Sequence, residues 1–344
     1  MKTITNIFLT VVLFFSLIQS VEAGERTWQE LARQGEILYQ QGRYLEGIQS
    51  AQSALQAAEE TFGQDHPNVA QSLNSLALFY RGQVKYAEAE PLYKRSLDIW
   101  QKTLGNNHPN VAGSLNNLGE LYLDQGKYAE AEPLFKKAMD LWQKSLGPDH
   151  PYVGGVLNNL AALYRAKGNF VEAEFFLKQS LEIWKKTLGS RHPDVAISLN
   201  DLAALYYSHG QYKKAKPLYE EALEIRQKAL GADHPYVAES LNNLAALYYS
   251  QDEPEKAKPL YEQALDIRRR VLGADHPYVA ESLNNLAALY YSQGEYAEAK
   301  SLFKQALAIW ERTLGSNHPN VRILLDNMHV LYQQTQEKPA EAQR

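Results

Sequence analysis

The chain has no cysteine among its 344 residues. Disulfides, thiolate zinc sites, iron–sulfur ligation and a cysteine-linked lipid anchor are therefore excluded. It also lacks a cationic excess. The formal net charge is −5, whereas a nucleic-acid or anionic-membrane surface needs a basic stripe, so no nucleic-acid partner is assigned. Catalytic signatures are missing too: the sequence contains no G-x-S-x-G, no H-E-x-x-H and no phosphate-cradling glycine loop. No catalytic residue and no cofactor is assigned, and the chain is not expected to be an enzyme. Long apolar runs are scarce. The stretch from Ile7 to Ile18 covers twelve residues, short of the ~20 that a bilayer-spanning helix requires. Met1 and Lys2 precede it and Val21-Glu22-Ala23 follows it, the layout of a secretory signal peptide. The expectation is a leader over residues 1–23, cleaved after Ala23. The mature protein is then secreted or periplasmic, without stable membrane insertion.

What the chain does have is a repeat. His-Pro recurs at His66, His108, His150, His192, His234, His276 and His318, always 42 residues apart. Self-similarity at a fixed period marks a solenoid, in which each unit buries its apolar face on its neighbours. Leu115, Leu118, Gly119 and Tyr122 fall at i, i+3, i+4 and i+7, one face of a helix. Gly126 can end that helix in a left-handed conformation. Tyr128, Ala131, Phe135, Ala138, Met139 and Trp142 form a second helical stripe, closed by Leu146-Gly147-Pro148. Proline after each histidine suits the first helical position. Each unit is thus a helix A, a turn and a helix B.

Period alone favours HEAT or armadillo units of ~40–47 residues over the ~34 of a tetratricopeptide. The residue order decides otherwise. Leu-Gly/Ala, Tyr, Gly-x-Tyr, Ala, Tyr/Phe, Ala follows the tetratricopeptide signature, with the surplus lengthening helix B. The Leu-Asn-Asn-Leu-Ala runs (Leu241 to Ala245, Leu283 to Ala287), the Ala-Glu-Pro-Leu pieces (Ala89 to Leu92, Ala131 to Leu134) and Leu-Gly-x-x-His-Pro carry the resemblance. Over about residues 27–334 the chain resembles the tetratricopeptide repeats of kinesin light chains and their bacterial relatives. The resemblance implies an all-α, right-handed α-solenoid whose A helices line a concave groove. The register gives pairs near 28–63, 67–105, 109–147, 151–189, 193–231, 235–273 and 277–315, a C-terminal capping helix over 319–334, and a polar, disordered tail over 335–344. A motor role is not implied, because the chain carries a leader and no pairing heptad.

Within this frame the side chains sort by position. The seven histidines are expected to order the inter-repeat turns, being too far apart to share a metal ion. Glu88, Glu130, Glu172 and Glu298 recur at repeat spacing and read as a solvated face. Trp100, Trp142, Trp184 and Trp310 share one site with Arg226 and Arg268, which reads as a rim that long stems can cover. Pro91, Pro133, Pro217 and Pro259 are expected to kink helix B. Residues 230–251 and 272–293 are identical, and Gln251-Asp252-Glu253-Pro254 replaces the usual Gly and Tyr, so that turn is expected to loosen. The resemblance puts one asparagine of six successive A helices in the groove: Asn74, Asn116, Asn158, Asn200, Asn242 and Asn284. The same stripe carries Arg81 and Arg165 in the first half and Tyr207, Tyr249 and Tyr291 in the second. Asparagine amides can pair with a peptide backbone without reading its side chains. The alternative is that these amides bond neighbouring helices. Asn117, Asn159, Asn243 and Asn285 read as internal to the stack. The expected function is an exported scaffold binding an extended peptide or protein segment. A glycan-binding factor of envelope-polysaccharide assembly is the alternative, and self-association is left open.

Overall fold

The computed structural model describes residues 21–39, 43–316 and 318–335. Most of the expected leader and nearly all of the expected tail lie outside the described residues. Among the described residues the chain forms helices and no strand. It divides into two compact units, Met1–Lys167 and Gly168–Arg344. The first holds α1 (residues 21–39), α2 (Tyr44–Phe62), α3 (Pro67–Gly82), α4 (Tyr86–Leu104), α5 (Pro109–Asp124), α6 (Tyr128–Leu146) and α7 (Pro151–Ala166). The second holds α8 (Phe170–Leu188), α9 (Pro193–Ser208), α10 (Tyr212–Leu230), α11 (Pro235–Ser250), α12 (Pro254–Leu272), α13 (Pro277–Ser292), α14 (Tyr296–Leu314) and α15 (Pro319–Gln334). Odd-numbered helices are the A type and even-numbered ones the B type. Inside each unit a helix packs on the one before and the one after it in sequence, as a solenoid of helix pairs requires.

The His-Pro dipeptide sets where each A helix starts. In α3, α5, α7, α9, α11, α13 and α15 the histidine Nδ1 accepts the backbone N–H two residues on, at 3.1–3.2 Å. Proline then takes the first helical position, where no N–H is needed. The histidines therefore act as N-caps. At the A–B turn the residue before the last loop position is left-handed. Gly126, Gly168, Gly210 and Gly294 fill it with φ between 69° and 78°. Val84 and Asp252 stand there too, each with φ 59°. The turn expected to loosen keeps its bonding: Asp252 and Glu253 donate to Tyr249 and Tyr248 oxygens at 3.1 and 3.0 Å, matching Gly294 and Glu295 at 3.1 and 2.9 Å. Aspartate tolerates the left-handed state and Pro254 starts α12, so the turn does not come apart.

The core repeats with the register. Val69, Val111 and Val153 in the first unit, and Val195, Val237, Val279 and Val321 in the second, are fully or almost fully buried, as are Ala89, Ala131, Ala173, Ala215, Ala257 and Ala299 on the B helices. Gly119 is where α5 meets α6 most closely, since an added Cβ would lie 2.8 Å from a Phe135 ring carbon. Pro91, Pro133, Pro217 and Pro259 leave their helices continuous over the same nineteen residues as α8 and α14, which have Phe175 and Ser301 at that position. The tryptophan–arginine position is not a rim. Trp100 is half-buried, but Trp142, Trp184 and Trp310 are buried, and so are Arg226 and Arg268, at 2% and 4% exposure. A guanidinium is accepted there because the next A helix offers it oxygens, not because it reaches water. Arg226 Nη1 donates to Tyr236 O at 2.9 Å and Ser240 Oγ at 2.7 Å; Arg268 repeats both bonds on Tyr278 and Ser282.

Candidate functional site on the A helices

Helix periodicity places Asn116 of α5 one residue after buried Leu115, and the same holds in each pair. In the structure this position lies between helices. Asn116, Asn158, Asn200 and Asn242 are buried, whereas Asn74 and Asn284 are half-buried. The oxygens of Asn74, Asn116, Asn200 and Asn242 accept from the second asparagine of the following A helix: Asn117 to Asn74 at 2.8 Å, Asn159 to Asn116 at 2.9 Å, Asn243 to Asn200 at 3.1 Å and Asn285 to Asn242 at 3.1 Å. The groove placement of Asn116, Asn158, Asn200 and Asn242 is thus corrected. Each of these bonds ties one A helix to the next.

In the first unit the network gathers on Glu120. It accepts from Asn116 and Asn159, both at 2.7 Å, and from Arg81 Nη1. Arg81 Nε also donates to Asp124 at 2.6 Å. Arg81 is therefore compensated by two carboxylates and does not offer a free cation to an acidic ligand. Their charges keep the guanidinium protonated against burial. Tyr93, buried beside this cluster, has its phenol pushed up by desolvation. Glu120 breaks the Leu/Ala pattern of Leu78, Ala162, Ala204, Ala246 and Ala288; that break is the sequence signal for the hub. Arg165, at the end of α7, is exposed.

In the second unit Asn200 and Asn242 donate to Glu239 and Glu281 at 3.2 and 3.4 Å. The same two carboxylates lie 3.4 Å from Arg226 and Arg268. Tyr207, Tyr249 and Tyr291 are half-buried at one repeated position near the ends of α9, α11 and α13. The Tyr207 hydroxyl meets Ser250 Oγ at 2.7 Å, and the rings of Tyr207 and Tyr291 lie 5.6 Å from Tyr212 and Tyr296. Ala204, Ala246 and Ala288, three residues earlier on the same face, are small and half-buried. The three tyrosines thus keep partial exposure, whereas four of the six asparagines are buried.

Comparison with curated proteins gives no match. Solved structures do match. BtubC (BKLC) from P. vanneervenii is 24% identical, with 70% of this chain and 93% of that chain covered and a TM-score of 0.51. A Podosopora anserina putative kinesin light chain with nearly identical TPR-like repeats is 32% identical, over 60% of this chain and 98% of that one, with a TM-score of 0.48. The Rap conjugation gene regulator of plasmid pLS20, solved with the Phr* peptide, is 19% identical over 81% and 72% of the two chains, with a TM-score of 0.64. The tetratricopeptide repeat model matches residues 29–83, 70–138, 110–186, 152–228, 210–270, 255–311 and 278–344. With capped helix pairs at a 42-residue period and this match over nearly the whole described chain, the protein belongs to the tetratricopeptide repeat family.

Proposed function

We propose that the protein is a non-enzymatic scaffold that binds an extended peptide or protein segment along its A-helix face. The observation that carries this is the row of Tyr207, Tyr249 and Tyr291, each with a small alanine one turn before it. Aromatic rings give contact area and a polar tip, and the alanines let a ligand backbone approach. Packed helices lie ~8–10 Å apart, and an extended chain rises ~3.3 Å per residue, so successive tyrosines meet about every third ligand residue. The Rap regulator solved with the Phr* peptide supports this reading to the extent that a related architecture accommodates a peptide. Asn74 and Asn284 at the ends of the asparagine row, with exposed Arg165, remain candidate contacts. The buried asparagines act by holding the A helices in register.

The same proposal includes export. Removal of residues 1–23 would take the first three described residues of α1, whose Ala23 oxygen accepts from Thr27 Oγ1 at 2.9 Å. N-terminal sequencing of the protein from an envelope fraction tests this, with Gly24 expected first; an intact Met1 in the cytosol would refute it. Binding is tested by affinity capture with the wild type and a folded Tyr207→Ala/Tyr249→Ala/Tyr291→Ala variant. Peptide partners are expected to be lost from the variant. Equal recovery would remove this face from the account. A glycan-array signal with no peptide binding would favour the polysaccharide-assembly alternative.

A further inference from the structure

Among the seven histidine caps, His234 and His276 stand apart. They are 4% and 3% exposed, whereas His66, His108, His150, His192 and His318 are only half-buried. The difference follows the preceding B helix. Half-buried His108, His150, His192 and His318 come after Trp100, Trp142, Trp184 and Trp310; buried His234 and His276 come after Arg226 and Arg268. In each case a tyrosine links the two groups. The Tyr236 ring is 5.1 Å from the His234 ring and 5.3 Å from the Arg226 guanidinium carbon. Tyr278 is 5.1 Å from His276 and 5.4 Å from Arg268.

Protonation conflicts with this geometry in three ways. Each Nδ1 accepts a backbone N–H at 3.1 Å, and a proton on Nδ1 would set donor against donor. An imidazolium would sit at the positive end of a helix. It would also be buried in a cluster that already contains a guanidinium, which disfavours the charged form. Four carboxylates near these caps carry bonds to other groups. Asp233 is bound by Arg270 of α12 at 2.9 Å and Asp275 by Arg312 of α14 at 2.5 Å. Glu239 and Glu281, on the capped helices themselves, face Arg226 and Arg268 and accept from Asn200 and Asn242.

We propose that Arg226–Tyr236–His234 and Arg268–Tyr278–His276 are two acid-sensitive latches, which hold α10 to α11 and α12 to α13 at neutral pH and release them when the histidines take up protons. The folded latch refuses a proton that a free histidine binds with a pKa of about 6.5. Latch stability is therefore complete above that value and falls as the pH drops below it. Such a device would loosen two consecutive joints of the second unit while leaving the half-buried caps of the first unit in place.

The test is amide exchange on the full chain at pH 7.5 and 5.5, corrected for intrinsic rates. Residues 235–245 and 277–287 (whose identical peptides report together) should lose protection at least ~10-fold more than residues 109–119. His234→Asn/His276→Asn keeps a capping side chain that does not titrate and should remove the difference. Uniform loss along all A helices, or the same loss in the variant, would overturn the proposal. Should the variant fail to fold, wild-type histidine NMR titration decides: two rings titrating well below the ordinary range support the latches, and all rings titrating near it refute them.

Discussion

Val84 holds φ 59° at a position where four other turns use glycine. A β-branched side chain in that state crowds its own carbonyl, at about 1–2 kcal/mol. Val84→Gly should relieve the strain against a partial entropic offset, leaving a net gain of about 1 kcal/mol. For a unit of this size the melting transition should rise by about 2–4 °C. Asp252→Gly should gain less, because aspartate visits the left-handed region more readily. Both are read by thermal melts followed at 222 nm. The asparagines give a second prediction at this scale. Asn200→Ala removes the acceptor of Asn243 and a donor to Glu239. It should cost about 1–3 kcal/mol in chemical denaturation, the usual penalty for orphaning a buried polar partner. A binding role alone would leave the midpoint unmoved. These residues show where sequence reading stops. Leucine spacing gave the helix face of Asn200, but the face meets both a groove and the next A helix, and periodicity cannot separate the two. Arg226 carries a related ambiguity. A Trp–Arg exchange looks like a wet rim until Ser240 and the Tyr236 carbonyl are seen to accept from the guanidinium Nη1.

The elements themselves were legible, because their boundaries are written in local chemistry: a histidine cap, a proline at the first position and a glycine after the last leucine. Pro217 is the feature of helix B that local chemistry least explains. It lies inside α10 and forfeits the bond to the Lys213 carbonyl, yet α14 has Ser301 there and the same length. Pro217→Ser should therefore stabilise the second unit, by up to about 3 kcal/mol, the usual cost of an interior proline. A loss of stability in urea denaturation would show that the proline is needed for packing. Between elements, Glu132 joins α6 to α7. It accepts from Lys136, Lys167 and Tyr164, and the hydrogen bonds from Lys136 and then Lys167 hold its carboxyl down at about 2. The unfolded carboxyl titrates near 4.3. The folded state thus favours the charged form, and the stabilisation present above about pH 4.5 is lost as pH falls toward 2. Exchange of α7 amides at pH 6 and pH 3 should show this loss in the wild type and a smaller one in Glu132→Gln.

Over the whole molecule, a solenoid carries its stability in units and in contacts between neighbours. The duplication makes that testable without designing a junction. Residues 230–251 and 272–293 are identical. Deleting residues 231–272 joins Leu230 to Gly273 and recreates the natural sequence on both sides of the cut. In the product α10 leads into α13, and its buried Ala215, Tyr219, Ala222, Ile225 and Arg226 stand where Ala257, Tyr261, Ala264, Ile267 and Arg268 stood. Arg226 then finds the Tyr278 oxygen and Ser282 in place of Tyr236 and Ser240. We expect the shortened chain to fold with unchanged helicity per residue and a cooperative melt. Deletion of residues 160–201, the same length with cuts inside α7 and α9, places Asp201's successor Leu202 after Asn159 and so also keeps register. It replaces the α8 face with no duplicate and should fold less stably. If neither product gives a cooperative melt, stability in this chain depends on more than its nearest-neighbour contacts. If both are equally stable, the match of α10 to α13 contributes nothing beyond the shared period.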